Sequence, residues 1–238
     1  MEKRIKIILE PSEKNPFAVV YKPKGLASAP LVPDEDSAFT QTALIFPQAK
    51  NVQGKKPIEG GLLHRLDTAT DGLLLIATRQ DCYDALSQSQ REGLFVKTYR
   101  AICQSIKSNS TFPPSPQNLT PPFCTDISSA FRFYGKGSRL VRPVTEESGS
   151  YGKKKSSGQS YTTRIELNNH QSEYEAICTI VRGFKHQVRC HLAWLGFPVK
   201  GDSLYNPQYR EGEELLFSAV ALEFPHPLTG EKFTVSLK

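Results

Sequence analysis

Apolar positions along this 238-residue chain fall into short runs, and the spacing inside each run points to an element. Phe17 to Tyr21 is a β-branched and aromatic run halted by Pro23 and Gly25, which predicts a strand entering a turn. Leu73 to Ala77 is continuously apolar and of strand length, so it predicts a buried strand. From Arg79 to about Arg91, Cys82 and Leu86 share a helical face, Thr78 is placed to cap the start and Gly93 to end it. A helix is predicted there. Phe95 to Cys103 reads as a strand with Lys97, Tyr99 and Ala101 on one side, and Tyr174 to Val181 is β-rich again. His186 to Leu195 predicts a second helix. Val188, Leu192 and Leu195 form its apolar stripe, Gly196 stops it and Pro198 follows.

Two stretches break the pattern. Ser105 to Pro122 carries five prolines among serines and asparagine and reads as a long surface loop. Glu146 to Ser160 is rich in glycine and serine and reads as a mobile loop. Its Lys153-Lys154-Lys155 is either a solvated tip or a contact for a phosphate backbone. No internal repeat is visible, and the length fits one large domain or two tightly joined lobes. A hydrophobic content of 38% agrees with long polar loops.

The net charge of +6 favours a polyanionic partner such as nucleic acid. The apolar run at Leu73 is far too short to span a membrane, and Met1-Glu2-Lys3-Arg4-Ile5 has no apolar leader core. A cytoplasmic protein with no membrane association is expected. Cys82, Cys103, Cys124, Cys178 and Cys190 are odd in number and form no Cys-x-x-Cys pair. They suggest neither a disulfide framework nor a zinc ribbon, and several are expected to be small buried apolar groups. His186 and His191 lie five apart, not in the i, i+4 pair with an intervening glutamate that zinc-binding helices favour, so no metal is expected.

The densest chemistry lies in residues 61–76, where His64-Arg65-Leu66-Asp67 sits between glycines and runs straight into the apolar strand. Asp67 is thereby placed at a turn leading into the interior. Arg65 is close enough in sequence to hold its carboxylate ionised against the effect of burial. The pair is either a reactive aspartate with its cation or a structural ion pair pinning the turn.

Several separated segments match one family in order. They are Val19-Val20-Tyr21-Lys22-Pro23-Lys24-Gly25-Leu26, then His64-Arg65-Leu66-Asp67 with Thr70 and Gly72-Leu73-Leu74-Leu75, and Lys97-Thr98-Tyr99-Arg100-Ala101. Next come Gly183-Phe184-Lys185-His186-Gln187-Val188-Arg189, continuing to Gly201-Asp202 and Tyr205, and the tail from Ala219 through His226-Pro227 to Gly230. With these segments the chain resembles the RluA-type pseudouridine synthases, which isomerise uridine in ribosomal or transfer RNA. It departs from their pattern at Tyr21 (usually Asp or Asn), Ala29 (often His), Asp71 (usually Ser), Phe184-Lys185 (usually Arg-Thr) and Phe217-Ser218 (usually Leu-His). Asp71 also raises the question of whether a second carboxylate approaches Asp67.

The resemblance implies an α+β fold, with a mixed, mostly antiparallel central sheet, flanking helices and a central cleft. It implies a single catalytic domain over residues 1–238, with no separate N-terminal RNA-binding domain. The activity it implies is an isomerase acting on a flipped-out uridine, with Asp67 as the catalytic carboxylate and Tyr99 and Arg189 beside it. Arg65, Lys22, Lys24, Phe184, Lys185 and His186 are candidate RNA contacts. The isomerisation involves no net oxidation or hydrolysis, so no cofactor is expected. Structured RNA is the expected partner and a monomer the expected state. Two other readings stand beside it. One is a non-catalytic RNA-binding protein on the same scaffold. The other is a glycoside hydrolase using Asp67 and Asp71, ranked last because two aspartates four apart beside a turn do not straddle a sugar.

Overall fold

The computed structural model describes residues 3–106 and 112–237. In chain order the elements are β1 (Lys6–Leu9), β2 (Phe17–Lys22), α1 (Ala38–Ile45), β3 (Asp71–Ala77), α2 (Gln80–Glu92), β4 (Val96–Cys103) and β5 (Phe123–Tyr134). They continue with β6 (Leu140–Val144), α3 (Ser150–Lys154), β7 (Tyr161–His170), β8 (Glu173–Ile180), α4 (Gln187–Trp194), β9 (Phe217–Pro225) and β10 (Lys232–Ser236). The class is α+β, as expected. The chain forms two compact units, Met1–Lys97 with Ser218–Lys238, and Thr98–Phe217. It passes from the first to the second within β4 and returns within β9.

In the first unit the strands run in the order β1-β2-β3-β9, with β10 paired to β9. All pairs are antiparallel except β3 with β9, where Asp71 lies opposite Ser218 and Gly72 opposite Ala219. All seven residues of β3 are buried. Its leucines are mediocre strand formers, so a neighbour on each edge and burial on both faces keep it extended, not propensity. One face gathers Phe17, Val19, Leu73, Leu75, Phe95, Leu222 and Phe224 with Cys82, Tyr83 and Leu86 of α2. Each such side chain contributes about 1.5–3 kcal/mol through burial.

Gly93 ends α2 in a left-handed conformation, as the sequence predicts. Thr78, however, is not the cap. Its N–H still donates to Pro16 O at 3.0 Å, one step beyond the last β2–β3 pair, Phe17 with Ala77. Arg79 takes the cap position without a side-chain bond, and the Asp81 carboxylate accepts from the Cys82 N–H instead.

The second unit has the strand order β4-β8-β7-β5-β6, with β7 antiparallel to both β8 and β5, and β5 antiparallel to β6. The expected single apolar stripe on α4 is replaced by burial all round, since every residue from Gln187 to Trp194 is buried. Its polar side chains tolerate this because each has a partner. Gln187 donates to Thr162 O and Thr163 Oγ1, and His191 bonds Ser129 Oγ and Thr163 Oγ1.

Residues 112–122 contain no helix or strand, as expected of the proline-rich loop, whose residues 107–111 lie outside the described ones. The glycine- and serine-rich stretch differs from the mobile loop expected. It contains α3, and Ser157 is bonded through both its N–H and its hydroxyl to the backbone of Phe131. Four of the five free cysteines are buried, with Cys124 exposed, and burial pushes the Cys82 thiol up to about 12. No helix among the described residues is long and apolar enough to cross a membrane.

Gly72 enters β3 at φ 125°, and a Cβ there would lie 2.2 Å from Ala219 O and 2.5 Å from Ala219 N. Gly72→Ala is therefore expected to cost about 3 kcal/mol or more, combining backbone strain with a clash against backbone that cannot yield. Urea denaturation measures this, and an unchanged midpoint would contradict the packing described.

Candidate active site

Residues 61–63 run alongside β3, with Leu63 N–H on Leu75 O at 3.0 Å and Ala77 N–H on Gly61 O at 2.8 Å. At His64 the backbone leaves this ladder and the ring replaces it, Nε2 accepting the Leu75 N–H at 3.3 Å. That bond puts the imidazole proton on Nδ1, which is buried and has no hydrogen-bond partner among the described residues. Burial, and then the charge of the buried Lys97, push the His64 pKa down to about 3. The ring is therefore neutral.

The chain then turns through Asp67. Ser28 holds both backbone groups of Leu66, its hydroxyl donating to the carbonyl at 2.8 Å and accepting from the N–H at 2.9 Å. Thr70 N–H closes on Asp67 O at 3.0 Å, and Gly25 N–H donates to Thr68 O at 2.7 Å. Lys22 adds a third tie. Its ammonium donates to Pro23 O at 3.1 Å, Leu26 O at 2.9 Å and Thr68 O at 3.3 Å. The side chain of Asp67 is half-buried at the middle of this clamp.

One expectation is corrected here. Lys22 is fully buried and bonded to three carbonyls, so it braces the turn and does not meet phosphate. Burial pushes its ammonium down to about 8, against the pull of Asp71 and Asp67. Arg65 forms an ion pair with Glu59, at 3.5 Å. Glu59 is almost fully buried and also draws Lys56 to 3.5 Å, so the desolvated carboxylate takes the nearest cations. The Arg65 side chain remains largely exposed, and Lys24 is half-buried.

The departures at Tyr21, Asp71 and Ser218 prove to be three parts of one cluster. Asp71 accepts the Tyr21 hydroxyl on one oxygen and Ser218 Oγ, at 2.6 Å, on the other. Burial and the Asp71 carboxylate push the Tyr21 phenol up to about 12.

In the second unit Tyr99 points from β4 into a buried position and stacks on Phe217, centroids 5.1 Å apart and 8° from parallel. Arg189 gives Nε and Nη2 to the two oxygens of Asp202, both at 2.7 Å. Asp202 is fully buried and also accepts the N–H groups of Leu204 and Tyr205. The pair is well compensated, and removing either partner would strand a buried charge at a cost of about 3–5 kcal/mol. His186, in a left-handed conformation, bonds the Tyr205 hydroxyl through Nδ1 at 2.9 Å. Phe184 stacks on Phe131 at 5.2 Å, which covers one ring face, whereas Lys185 is exposed. Ser28, Glu59 and the role of Asp202 were not anticipated. Only Asp202 had a signal, its place after Gly201 in the third motif.

A family model described as RNA pseudouridylate synthase matches residues 16–194. Ribosomal large subunit pseudouridine synthase C of Salmonella typhimurium is 28% identical over 180 residues, covering 71% of this chain and 50% of that protein. The uncharacterized RNA pseudouridine synthase YlyB of Bacillus subtilis is 25% identical over 175 residues, covering 72% and 49%. The chain thus spans about half the length of these curated relatives. Among solved structures, human RNA pseudouridylate synthase domain containing 1 superposes with a TM-score of 0.66 at 20% identity, over 99% of this chain and 84% of that one. Human RNA pseudouridylate synthase domain containing 4 gives 0.63 at 20% identity, over 95% and 86%. These two establish the likeness of fold.

A neutral His64 gives a pH signature. Its folded pKa, about 3, lies below the ordinary 6.5, so between these values the unfolded chain binds a proton that the folded one refuses. Stability is therefore full above pH ~6.5 and is lost as the pH falls towards 3, by up to about 1.4 kcal/mol per pH unit. His64→Gln, which keeps an acceptor for Leu75 but does not titrate, is expected to remove that share of the slope. Equal slopes in denaturation series of the two proteins would refute the assignment.

Proposed function

The chain belongs to the RNA pseudouridylate synthase family, and on that premise we propose that it converts uridine to pseudouridine in ribosomal or transfer RNA, with Asp67 as the catalytic carboxylate. The observation that carries this reading is the clamp. A half-buried carboxylate sits on a turn whose backbone is tied before and after it. Such preorganisation is what an electrostatic or nucleophilic role demands. The family match extends over Asp67, Tyr99 and Arg189, which supports giving the latter two their roles beside it. The names of the relatives make large-subunit ribosomal RNA the first substrate to test.

The reaction breaks the N1–C1′ bond of uridine, turns the base and joins C1′ to C5; N1 gains a proton and C5 loses one. Asp67 acts at the sugar–base linkage as that bond breaks. Tyr99, already held flat against Phe217, stacks near the uracil, and its hydroxyl relays the C5 proton, taking it up as it gives up its own, so that the proton lost at C5 balances the one gained at N1. Arg189, fixed in orientation by Asp202, supplies the positive charge that keeps the reacting carboxylate anionic. The uridine must first leave its helix, at a cost of a few kcal/mol that is lowest in loops. Arg65, Lys24 and Lys185 serve as contacts to the RNA around it.

Purified protein incubated with ribosomal and transfer RNA should form pseudouridine. Asp67→Asn should lower the rate by at least about 10³-fold while RNA affinity changes little. Turnover by Asp67→Asn at the wild-type rate would dismiss Asp67 as the catalytic group.

A further inference from the structure

We propose that the β5–β6 hairpin is a contact for an unpaired stretch of RNA, built from residues outside the family motifs; this rests on the reading of the chain as an enzyme acting on RNA. Arg132 lies directly opposite Arg142 across the two strands. Like charges in that position repel, and a hairpin selected for stability alone would avoid them. The hairpin brings no carboxylate of its own, since residues 127–145 hold four Lys or Arg and no Asp or Glu.

The two guanidiniums share one aromatic ring. Arg142 Cζ is 3.5 Å from the centroid of Tyr134 and Arg132 Cζ is 5.5 Å away. Burial and the charge of Arg132 both lower the pKa of Arg142, though Tyr134 pulls the other way. Arg132 Nε is buried and has no hydrogen-bond partner among the described residues. An N–H donor held in that state beside a second guanidinium is suited to an anion, and in RNA the anion is a phosphate. More positive charge adjoins it. Gly152 of α3 approaches so closely that a Cβ would meet Arg132 Nε at 3.4 Å, which brings the exposed Lys153-Lys154-Lys155 beside the hairpin.

The hairpin also offers surfaces for bases. Phe133 is 50% exposed, with the Lys185 ammonium 5.9 Å from its ring centroid. At the tip, Gly135, Arg139 and Leu140 line an open hollow of about 250 Å³ with Ser203 and Leu204. Successive strand positions put Phe133 on the face opposite Arg132, so a strand of RNA crossing the β6 edge of the sheet meets phosphate donors on one side and a stacking ring on the other. Such a ring favours single strands, because every base has a face to stack while a duplex hides its faces.

The test uses the full chain, a short mixed-sequence single-stranded RNA and a blunt RNA duplex of equal length. Affinities are read by fluorescence anisotropy over a salt series. Phe133→Ser is expected to weaken single-strand binding by about 5- to 150-fold, the range for loss of one stacked base, with duplex binding unchanged. Arg132→Gln is expected to reduce the magnitude of the salt slope by about 0.7, one phosphate contact, while its melting temperature is unchanged or higher. Single-strand affinity and slope unchanged in both variants would overturn the proposal. So would a lower melting temperature in Arg132→Gln with affinity intact, which would make the arginine pair structural. Unaltered binding by variants that still make Asp67-dependent pseudouridine removes the hairpin alone. If the wild type makes none, the functional reading fails while the binding data still decide the hairpin.

Discussion

Ser28 grips both backbone groups of Leu66, and two residues later Gly25 and Lys22 share the carbonyl of Thr68. Between these points Asp67 cannot slide along or rotate out of the turn without breaking several bonds together. The arrangement explains why a lysine is buried at all. Its ammonium is costly to desolvate, and only three carbonyls with two nearby carboxylates make that burial tolerable. The strand beneath contributes as well. Asp71 opens β3 and ties Tyr21 of β2 to Ser218 of β9, so three adjacent strands are locked together just after the turn.

The second unit uses the same economy of buried charge. α4 is short and wholly buried, yet it carries a glutamine, an arginine and a histidine, each satisfied by a neighbouring element. A helix of this kind is held by burial of Val188, Leu192 and Trp194 and is oriented by its polar partners. The orientation of Arg189 is thus a property of the Asp202 loop as much as of the helix. Asp202 in turn caps its own loop through the N–H groups of Leu204 and Tyr205.

The sequence made some of this legible and concealed the rest for physical reasons. Periodicity located the β2 and β3 strands and the helices α2 and α4 but not α1, and Gly93 and Gly196 marked helix ends because the left-handed backbone there favours glycine. The motif order pointed to Asp67, Tyr99 and Arg189. Partnerships across long sequence separations left no local trace. Nothing near Lys22 announces the carbonyl of Thr68, nothing near Arg65 announces that Glu59 will be buried, and Ser28 looks like any loop serine. The departures at positions 21, 71 and 218 looked independent in one dimension and are one hydrogen-bonded group in three. Thr78 misled for the opposite reason, since its local capping chemistry was overridden by a backbone bond to Pro16.

If the clamp exists to hold a carboxylate against uridine, the modification must be visible in cells. Mapping pseudouridine across total RNA from cells with and without the gene tests this most directly. The account predicts at least one uridine that is modified only when the gene is present. Identical maps would contradict it.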